Sequence, residues 1–216
     1  MHMVNTITIA AFVGTAVLSY LLGSLNFAII ISRIFGDDVR RHGSGSAGMT
    51  NILRTYGKGP AACTLAGDFL KTILAIFLAR FLFAWVGITA LDAGYYAGLF
   101  VLLGHLYPLY FGFKGGKGVV TSMAIMLCVN PLAFLIVAVI FIPFVFAVKI
   151  VSLASILGAI AFPLVTCIVR LIQGRDALLD TLCASVIGLI VIIKHRDNIK
   201  RLLNGTENKF GKPKGG

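Results

Sequence analysis

Long, nearly unbroken apolar runs constrain this chain more than any other feature of its sequence. A helix needs about 20 mostly apolar residues to cross the hydrocarbon core of a membrane, and several runs approach or exceed that length. Only 12% of the 216 residues are charged and 58% are hydrophobic, whereas a soluble domain has about 25% charged residues. The chain therefore cannot cover a water-facing surface, and we predict an all-α, polytopic integral membrane protein.

Seven apolar segments can be assigned as transmembrane helices, and together they form a predicted seven-helix bundle. They lie at residues 7–31, 61–86, 93–111, 119–129, 131–148, 151–169 and 177–193. The fourth segment is much shorter than an ordinary span. An odd number of spans places the two termini on opposite sides of the membrane, and we expect residues 1–216 to form a single membrane domain.

The basic residues fall almost entirely on one side of this arrangement. The chain has 19 Lys and Arg residues against 8 Asp and Glu residues, a net charge of +11. If the N-terminus is outside, the outer connections hold only Arg80, Arg170 and Arg175, whereas fifteen basic residues lie in inner connections or in the C-terminal segment (residues 194–216). Because cytoplasmic loops carry the excess of Lys and Arg, we predict an external N-terminus and a cytoplasmic C-terminus.

Two of the predicted cytoplasmic connections are rich in glycine. The first glycine loop (residues 36–59) reads HGSGSAGMTNILRTYGKG from residue 42 onward, and the second glycine loop (residues 112–118) reads GFKGGKG. Glycine lets backbone N–H groups approach a ligand, and successive inward N–H groups beside a Lys or Arg form an anion-binding nest. Either loop alone is equally well explained as a flexible basic connector. Together, on the same side, they favour a phosphate-binding pocket at the membrane–cytoplasm interface.

Polar residues at the inner ends of two later segments point to the same pocket. Ser152 and Ser155 lie three residues apart, which places both hydroxyls on one helix face, although helix capping explains Ser152 equally well. A basic cluster such as residues 194–198 commonly contacts lipid headgroups. His195 and Asn198 fit that interpretation poorly, because neither adds fixed charge at neutral pH.

Three polar residues interrupt the apolar segments themselves. Asp68 and Lys71 lie one helical turn apart, and we favour a mutually neutralising structural pair over a functional pair of intramembrane ions. His105 precedes Pro108 by three residues, and we expect it to satisfy backbone groups that the proline frees. We do not assign it as catalytic.

Several familiar chemistries do not fit the sequence. The second glycine loop lacks the spacing and the hydroxyl residue of a nucleotide-binding P-loop, and there is no carboxylate cluster for a magnesium diphosphate. The four cysteines lie in apolar runs without a CxxC pair, which argues against a zinc or redox site. We predict no metal ion, no cofactor and no nucleic-acid partner.

Three long motifs, in order, resemble the bacterial acyl-phosphate:glycerol-3-phosphate acyltransferases, the PlsY family. They are GSGSAGMTNILRTYGKGPA at residues 43–61, GHLYPLYFGFKGGKGVVTS at 104–122 and KHRDNIKRLLNGTE at 194–207, joined by DFLK at 68–71 and SLAS at 152–155. The chain departs from the family at Ser46, where members usually have Asn. The resemblance implies transfer of a fatty acyl group from acyl phosphate to the 1-hydroxyl of glycerol 3-phosphate, giving lysophosphatidic acid and phosphate, the first acylation of bacterial phospholipid synthesis.

The resemblance also implies a role for each site residue. The residues that would line the glycerol 3-phosphate pocket are Ser44, Gly45, Thr50, Asn51 and Arg54. Those that would hold the phosphoryl group of the acyl phosphate are Gly115, Gly116, Lys117, Ser155, His195 and Asn198, of which Lys117, Ser155, His195 and Asn198 are assigned as catalytic. Glu207 is expected to orient the C-terminal segment over the substrates.

The activated acyl phosphate removes the need for a covalent nucleophile, so the enzyme has to position the hydroxyl and stabilise charge. Two acceptors for the hydroxyl proton stay open, His195 and the oxygens of the acyl phosphate. We expect membrane lipid as a further partner and an active site at the cytoplasmic face of the bacterial plasma membrane. Whether an acyl-phosphate synthase makes a transient contact with the protein stays open. The rival functions are a phosphate-ester transporter and a lipid-gathering membrane scaffold.

Overall fold

Helices account for all of the regular secondary structure in the described part of the chain, and no strand occurs there. A computed structural model describes residues 6–89 and 92–209. The predicted external N-terminus and residues 210–216 of the C-terminal segment lie outside these ranges. The chain divides into two compact units, Met1–Val129 and Asn130–Gly216, here called the first and second units. The expectation of a single membrane domain stays a prediction.

The described residues of the first unit form six α-helices and two short 3₁₀ turns. The helices are α1 (Thr6–Ser24), α2 (Phe27–Ile34), α3 (Met49–Tyr56), α4 (Lys58–Val86), α5 (Ala93–Leu106) and α6 (Val119–Val129), and the 3₁₀ turns are Val39–Arg41 and Leu109–Phe111. Helices α1, α4 and α5 pack against one another, and α4 and α5 also contact α6. Helices α2 and α3 contact each other, and both contact α4.

Two glycines bring α1 and α5 into close contact. A Cβ on Gly23 would collide with the backbone of Val101, and a Cβ on Gly104 would collide with the carbonyl of Tyr20. Small residues at facing positions are the usual means by which membrane helices approach closely. Tyr20 then donates a hydrogen bond to the carbonyl of Tyr107 (2.7 Å), which fastens the end of α5 to α1.

The first glycine loop is not an open loop throughout, which corrects the prediction for residues 36–59. It contains the 3₁₀ turn Val39–Arg41 and helix α3, and α4 begins within it at Lys58. The reason is apolar burial that the glycines obscure in the sequence. Ile52, Val39 and Ala47 are fully buried in a small core with Ala28 and Ile29 of α2, and Met49, Leu53 and Tyr56 pack against that core.

Up to residue 209, the second unit contains four α-helices: α7 (Pro131–Val148), α8 (Val151–Ile172), α9 (Leu178–Lys194) and α10 (Arg196–Leu203). Asn130 caps α7 by accepting a hydrogen bond from the N–H of Ala133 (3.2 Å). A tight turn at Lys149 (φ 61°) joins α7 to α8. Helices α8 and α9 pack closely because Gly188 faces the carbonyl of Ala159, and the Arg170–Asp180 ion pair joins the end of α8 to the start of α9.

Four helical segments of the described chain are long and apolar enough to cross a membrane. They are Thr6–Ile34, Lys58–Val86, Pro131–Val148 and Val151–Ile172, and a fifth is counted if α9 and α10, which bend by 59° at their junction, form one span. The predicted third segment is shorter than expected, because the α-helix ends at Leu106 and a 3₁₀ turn follows Pro108. At 1.5 Å per residue, α5 is about 21 Å long and α6 about 17 Å.

Candidate active site

The side chain of Asn51 holds the first glycine loop together. Its Nδ2 lies 3.0 to 3.1 Å from the carbonyl oxygens of Val39, His42 and Ser46, and its Oδ1 accepts a hydrogen bond from the N–H of Ser44 (3.1 Å). Asn51 is buried, and its bond to the carbonyl of Val39 forms away from water. The role of substrate ligand predicted for Asn51 stays a prediction, while its hydrogen bonds make it the residue that shapes the loop.

Asp37, His42 and Tyr56 form a group of polar contacts at the start of the same loop. The carboxylate of Asp37 accepts a hydrogen bond from the hydroxyl of Tyr56 (2.9 Å) and lies 2.6 Å from Nε2 of His42. The N–H of Asp38 and the hydroxyl of Tyr56 lower the pKa of Asp37. Burial, reinforced by the bond to Asp37, raises the pKa of Tyr56. This group joins the loop preceding α3 to the last residue of α3.

Arg40 links the two glycine loops. Its Nη2 pairs with Asp38 Oδ2 (2.6 Å), while its Nη1 donates to the carbonyl oxygens of Phe111 (2.8 Å) and Lys114 (3.0 Å). The hydrogen bond from Arg40 holds the pKa of Asp38 below its ordinary value, and the same bond raises the pKa of Arg40. The two glycine loops are therefore in direct contact within the first unit. Their location on the cytoplasmic side of the membrane stays a prediction.

The second glycine loop is held by the end of α5. The N–H of Gly115 donates to the carbonyl of Leu106, and the N–H of Gly116 donates to the carbonyl of His105 (both 3.2 Å). These bonds correct the predicted anion nest, because the two amides already have partners inside the protein. The glycines are needed for space instead: a Cβ on Gly115 would collide with the carbonyl of His105, and one on Gly116 with Nε2 of His105 and the carbonyl of Ala47.

Helix α3 offers a different place for an anion. Its N-terminal residue follows Gly48, which makes no side-chain cap, so the first turn lacks the usual Ser, Thr, Asp or Asn acceptor. The N-terminus of a helix attracts negative charge through its N–H groups and its dipole. Thr50 lies in this first turn, and Arg54 follows it by four residues on the same helix face, with an exposed side chain.

A buried ionic cluster underlies this region. Lys71 Nζ lies 2.6 Å from Asp68 Oδ1, which confirms the predicted pair. His105 Nδ1 lies 3.2 Å from the same Nζ and 3.5 Å from Asp68 Oδ1. We predicted that His105 satisfies backbone groups freed by Pro108. Its contact with Lys71 and Asp68 was not predicted, because no pattern in the sequence indicates it.

The second unit presents the remaining candidate residues. His195 is buried at the junction of α9 and α10, where its Nδ1 lies 2.8 Å from the carbonyl of Val191. Because a carbonyl only accepts, Nδ1 carries the proton and the lone pair of the neutral ring lies on Nε2. Glu207 accepts hydrogen bonds from Asn198 Nδ2 (2.9 Å) and Arg201 Nε (2.8 Å). The residues after α10 are thus attached to α10 itself.

The two serines of α8 behave differently from each other. The helix is capped at Ile150 without a side-chain bond, so the capping explanation for Ser152 is wrong. Ser152 Oγ is buried and has no hydrogen-bond partner among the described residues. Ser155 donates its hydroxyl proton to the carbonyl of Val151 (2.9 Å), one turn earlier in the same helix, and keeps its oxygen lone pairs for other donors.

A sequence model of the family described as glycerol-3-phosphate acyltransferase matches residues 13–205. The chain belongs to this family. A glycerol-3-phosphate acyltransferase of Clostridioides difficile (strain 630) is 44% identical over 207 residues, covering 95% of this chain and 98% of the relative. One of Neisseria meningitidis serogroup C (strain 053442) is 40% identical over 201 residues, covering 92% and 97%.

Solved structures of the same family have the same fold. The crystal structure of PlsY (YgiH), an integral membrane glycerol 3-phosphate acyltransferase, in its glycerol 3-phosphate form matches with a TM-score of 0.81 and 36% identity, covering 93% of this chain and 96% of that chain. Its lysophosphatidic acid form gives a TM-score of 0.78 and 35% identity, covering 93% and 95%. The resemblance to the PlsY family is confirmed.

Sequence reasoning missed the residues that hold the site of this acyltransferase family member together. The topology prediction includes Arg40 only as one of the fifteen basic residues on the cytoplasmic side. No pattern in the sequence assigns a role to Asp37, Asp38 or Tyr56. The signal available was a pair of acidic residues separated by Val39 from a basic pair, at residues 37–41. Opposite charges at such short spacing indicate local ion pairs, although they do not show that Arg40 reaches the second glycine loop.

Proposed function

We propose that this protein is an acyl-phosphate:glycerol-3-phosphate O-acyltransferase of the bacterial plasma membrane. Its family membership supports acyl transfer to glycerol 3-phosphate. One structural observation carries the assignment to these residues. Two basic, glycine-rich loops meet through Arg40, one bearing Arg54 and the other Lys117. Two phosphate-bearing substrates require two cationic phosphate ligands near one another, and this pair of loops supplies them.

The first substrate, glycerol 3-phosphate, is assigned to the first glycine loop. Its phosphate would bind at the N-terminus of α3, where Thr50 and Arg54 share a face and the turn has no side-chain cap. Ser44 and Gly45 precede this turn, in the segment that Asn51 shapes. Arg54 is the principal phosphate ligand in this assignment, because a guanidinium can donate two parallel hydrogen bonds to phosphate.

The second substrate, acyl phosphate, is assigned to Lys117 of the second glycine loop. The amides of Gly115 and Gly116 are used within the fold, so these glycines contribute by placing Lys117 and not by donating to phosphate. The family resemblance also implies phosphoryl-binding roles for Ser155, His195 and Asn198. Glu207 orients Asn198 through its hydrogen bond, which directs the amide of that side chain.

The reaction needs one bond to form and one to break. The 1-hydroxyl oxygen of glycerol 3-phosphate attacks the acyl carbonyl carbon, and the bond from that carbon to the bridging phosphate oxygen breaks. The products are lysophosphatidic acid and inorganic phosphate. The hydroxyl proton passes either to Nε2 of His195 or to an oxygen of the departing phosphate. Lys117 supplies positive charge as negative charge accumulates on the leaving phosphate, while Arg54 holds the phosphate of glycerol 3-phosphate.

The activity is tested with purified protein in detergent, palmitoyl phosphate and glycerol 3-phosphate, by measuring phosphate release and lysophosphatidic acid. Lys117→Ala and Arg54→Ala are each expected to lower kcat/KM tenfold or more, because a hydrogen bond to a charged group contributes about 1.5–3 kcal/mol. Lys114→Ala removes a neighbouring exposed charge and serves as the control. Absence of both products from the parent protein would refute the activity, and parental rates in both variants would refute the site.

The proton acceptor is tested by pH–rate profiles of the parent and of His195→Gln. Glutamine keeps a polar side chain but cannot take up the proton. If His195 is the base, the acidic limb of kcat disappears in the variant. If the acyl phosphate is the base, a limb remains at the lower rate of the variant.

We also propose seven membrane crossings, an external N-terminus and a cytoplasmic active site. The fifteen-to-three partition of basic residues supports this topology. Fusion of green fluorescent protein and of alkaline phosphatase to the C-terminus tests it. The expected result is a fluorescent first fusion and an inactive second one, whereas active alkaline phosphatase would place the C-terminus outside.

A transporter or a lipid-gathering scaffold is less well supported. The transporter interpretation relied on Asp68 and Lys71 as intramembrane ions. In the structure these side chains are 1% and 5% exposed and pair with each other. An ion pathway would need them open to water.

A further inference from the structure

Three ionisable side chains are buried together where the inner ends of α1, α4 and α5 meet. Asp68 and Lys71 belong to α4 and His105 to α5, and their residues are 1%, 5% and 3% exposed. A buried ion pair costs several kcal/mol of desolvation per charge, and replacing such a pair with apolar side chains is often neutral or stabilising. Their presence therefore calls for an explanation besides stability of the fold.

Lys71 fills the break between α1 and α2. Its Nζ lies 3.0 Å from the carbonyl oxygen of Gly23 and 2.7 Å from that of Leu25, in addition to the carboxylate of Asp68. An ammonium has three N–H donors, and these three oxygens share them with Nδ1 of His105, which lies 3.2 Å away. Helix-terminal carbonyls have no partner within their own helix, so Lys71 fixes the shape of the chain where α1 ends.

Hydrogen bonds connect the break held by Lys71 to the first glycine loop. Asn26, in the break, accepts a hydrogen bond from the N–H of Ile29 at the start of α2. Its Nδ2 points to the carbonyl of Ala47 (3.4 Å), which is fully buried in the first glycine loop. Asp68 Oδ1 also lies 3.4 Å from the N–H of Phe27, the first residue of α2. The loop therefore rests on a helix start that the ionic cluster positions.

His105 connects the same cluster to the second glycine loop. Its Nδ1 faces Lys71, its carbonyl accepts from the N–H of Gly116, and its Nε2 lies against the Cα of Gly116 so closely that a Cβ would collide with it. The carbonyl of Ala47 lies against Gly116 from another side. Gly116 is thus enclosed between the imidazole and the first glycine loop.

We infer that Asp68, Lys71 and His105 form a positioning cluster that sets the spacing of the two glycine loops at the contact between Gly116 and Ala47. None of the three touches substrate in this account. The cluster acts by holding the main chain on which Lys117 and the residues around Arg54 are mounted. The inference rests on the proposed function, because it assigns the cluster to the binding of the two phosphate substrates.

Two cluster variants and one control test this inference. His105→Gln removes the imidazole beside Gly116, and the double variant Asp68→Asn/Lys71→Met removes both charges without leaving either one buried alone. The control is Arg80→Met, which removes the ion pair of the same helix with Asp92 (3.1 Å), at a distance from both loops. For each protein the measurements are the thermal unfolding midpoint, kcat and KM for both substrates, and equilibrium binding of glycerol 3-phosphate.

We expect both cluster variants to raise KM for acyl phosphate and for glycerol 3-phosphate about tenfold, which corresponds to about 1.4 kcal/mol for each substrate. Arg80→Met is expected to lower the unfolding midpoint while leaving both KM values within about twofold of the parent. Cluster variants that lose stability but keep parental KM values and glycerol 3-phosphate affinity would show a merely structural cluster and overturn the inference.

The binding measurement separates this inference from the proposed activity. A parent protein that binds glycerol 3-phosphate without releasing phosphate from palmitoyl phosphate refutes the activity, while weakened binding in His105→Gln still supports the positioning cluster. A parent that neither binds glycerol 3-phosphate nor turns over refutes both. If the double variant fails to fold, His105→Gln decides the result, because it leaves the Asp68–Lys71 pair in place.

Discussion

The first glycine loop is held from within, whereas the second is held by groups outside it. In the first, Asn51 bonds to backbone groups between Val39 and Ser46, and Gly43 (φ 54°) leaves room for the oxygen of that side chain. In the second, the bonds come from Arg40 and from the end of α5. Glycine therefore provides a left-handed conformation beside Asn51 at Gly43, and close contact between segments at Gly115 and Gly116.

This difference predicts which substrate each substitution affects. Substitutions inside the first loop should weaken the binding of glycerol 3-phosphate, because the ligands of that substrate belong to the loop itself. Substitutions of the residues that hold the second loop should weaken the binding of acyl phosphate, because they displace Lys117. The following substitutions test that separation, from the largest expected effect to the smallest.

Gly116→Ala is expected to reduce kcat/KM about 100-fold or more, equivalent to about 2.7 kcal/mol of transition-state stabilisation. The new methyl group would strike the carbonyl of Ala47 as well as His105, and a backbone carbonyl cannot rotate away as a flexible side chain can. Steady-state kinetics with both substrates measure the effect. Gly14→Ala in α1 is the control, because its Cβ meets nothing within 4 Å. Equal activity in the two variants would contradict the enclosed position of Gly116.

Asn51→Ala is expected to destabilise the protein by about 2–4 kcal/mol and to raise KM for glycerol 3-phosphate about tenfold, with a smaller change for acyl phosphate. Several buried backbone groups lose their partner, and each unsatisfied group costs about 1–3 kcal/mol. Thermal unfolding and kinetics are measured together. The control is Thr55→Val on the same helix, where the hydroxyl only donates to the carbonyl of Asn51 (3.0 Å). A rise in KM without loss of stability would instead make Asn51 a direct ligand.

Arg40→Met is expected to raise KM for acyl phosphate about five- to tenfold and to leave KM for glycerol 3-phosphate nearly unchanged. The reason is the loss of two charge-assisted hydrogen bonds, one to the carbonyl of Lys114 in the second glycine loop and one to the carbonyl of Phe111 directly before it. The matched control is Arg41→Met, which removes a neighbouring exposed arginine of the same turn. If both KM values rise equally, the two loops respond as one body and the separation drawn above is wrong.

The smallest effect is a dependence of stability on pH. Because the pKa of Asp38 is lower in the folded protein than its ordinary value of 3.8, its ion pair with Arg40 stabilises the fold above that value. This stabilisation is lost as the pH falls below 3.8 towards the lowered pKa. The pair is partly exposed, so we expect less than about 1 kcal/mol. The unfolding midpoint of Asp38→Asn should fall less between pH 5 and pH 3, each about one unit from 3.8, than that of the parent. If the unfolding midpoints of the parent and of Asp38→Asn fall equally with pH, the Asp38–Arg40 pair does not cause this pH dependence.

Much of the fold follows from patterns that are local in the sequence. The apolar runs identify the helices α4, α7 and α8 to within a few residues, since a membrane-spanning helix must satisfy its own backbone. The three polar motifs indicate the family, and the spacing of Asp68 and Lys71 predicts their ion pair. Each of these conclusions depends on residues close together in the chain.

Contacts between distant segments were beyond such patterns. Nothing in the second glycine loop reveals that its amides bond to the end of α5, or that Arg40, more than seventy residues earlier, bonds to the carbonyl of Lys114. The apolar face of α3 was concealed among glycines, because its core partners Ala28 and Ile29 lie in another helix. Spacing along a chain determines which side chains share a helix face, whereas burial depends on packing between segments. Because of that packing, the amides predicted to form an anion nest bond to the end of α5, and Gly116 lies in close contact with Ala47 and with His105 of the buried ionic cluster.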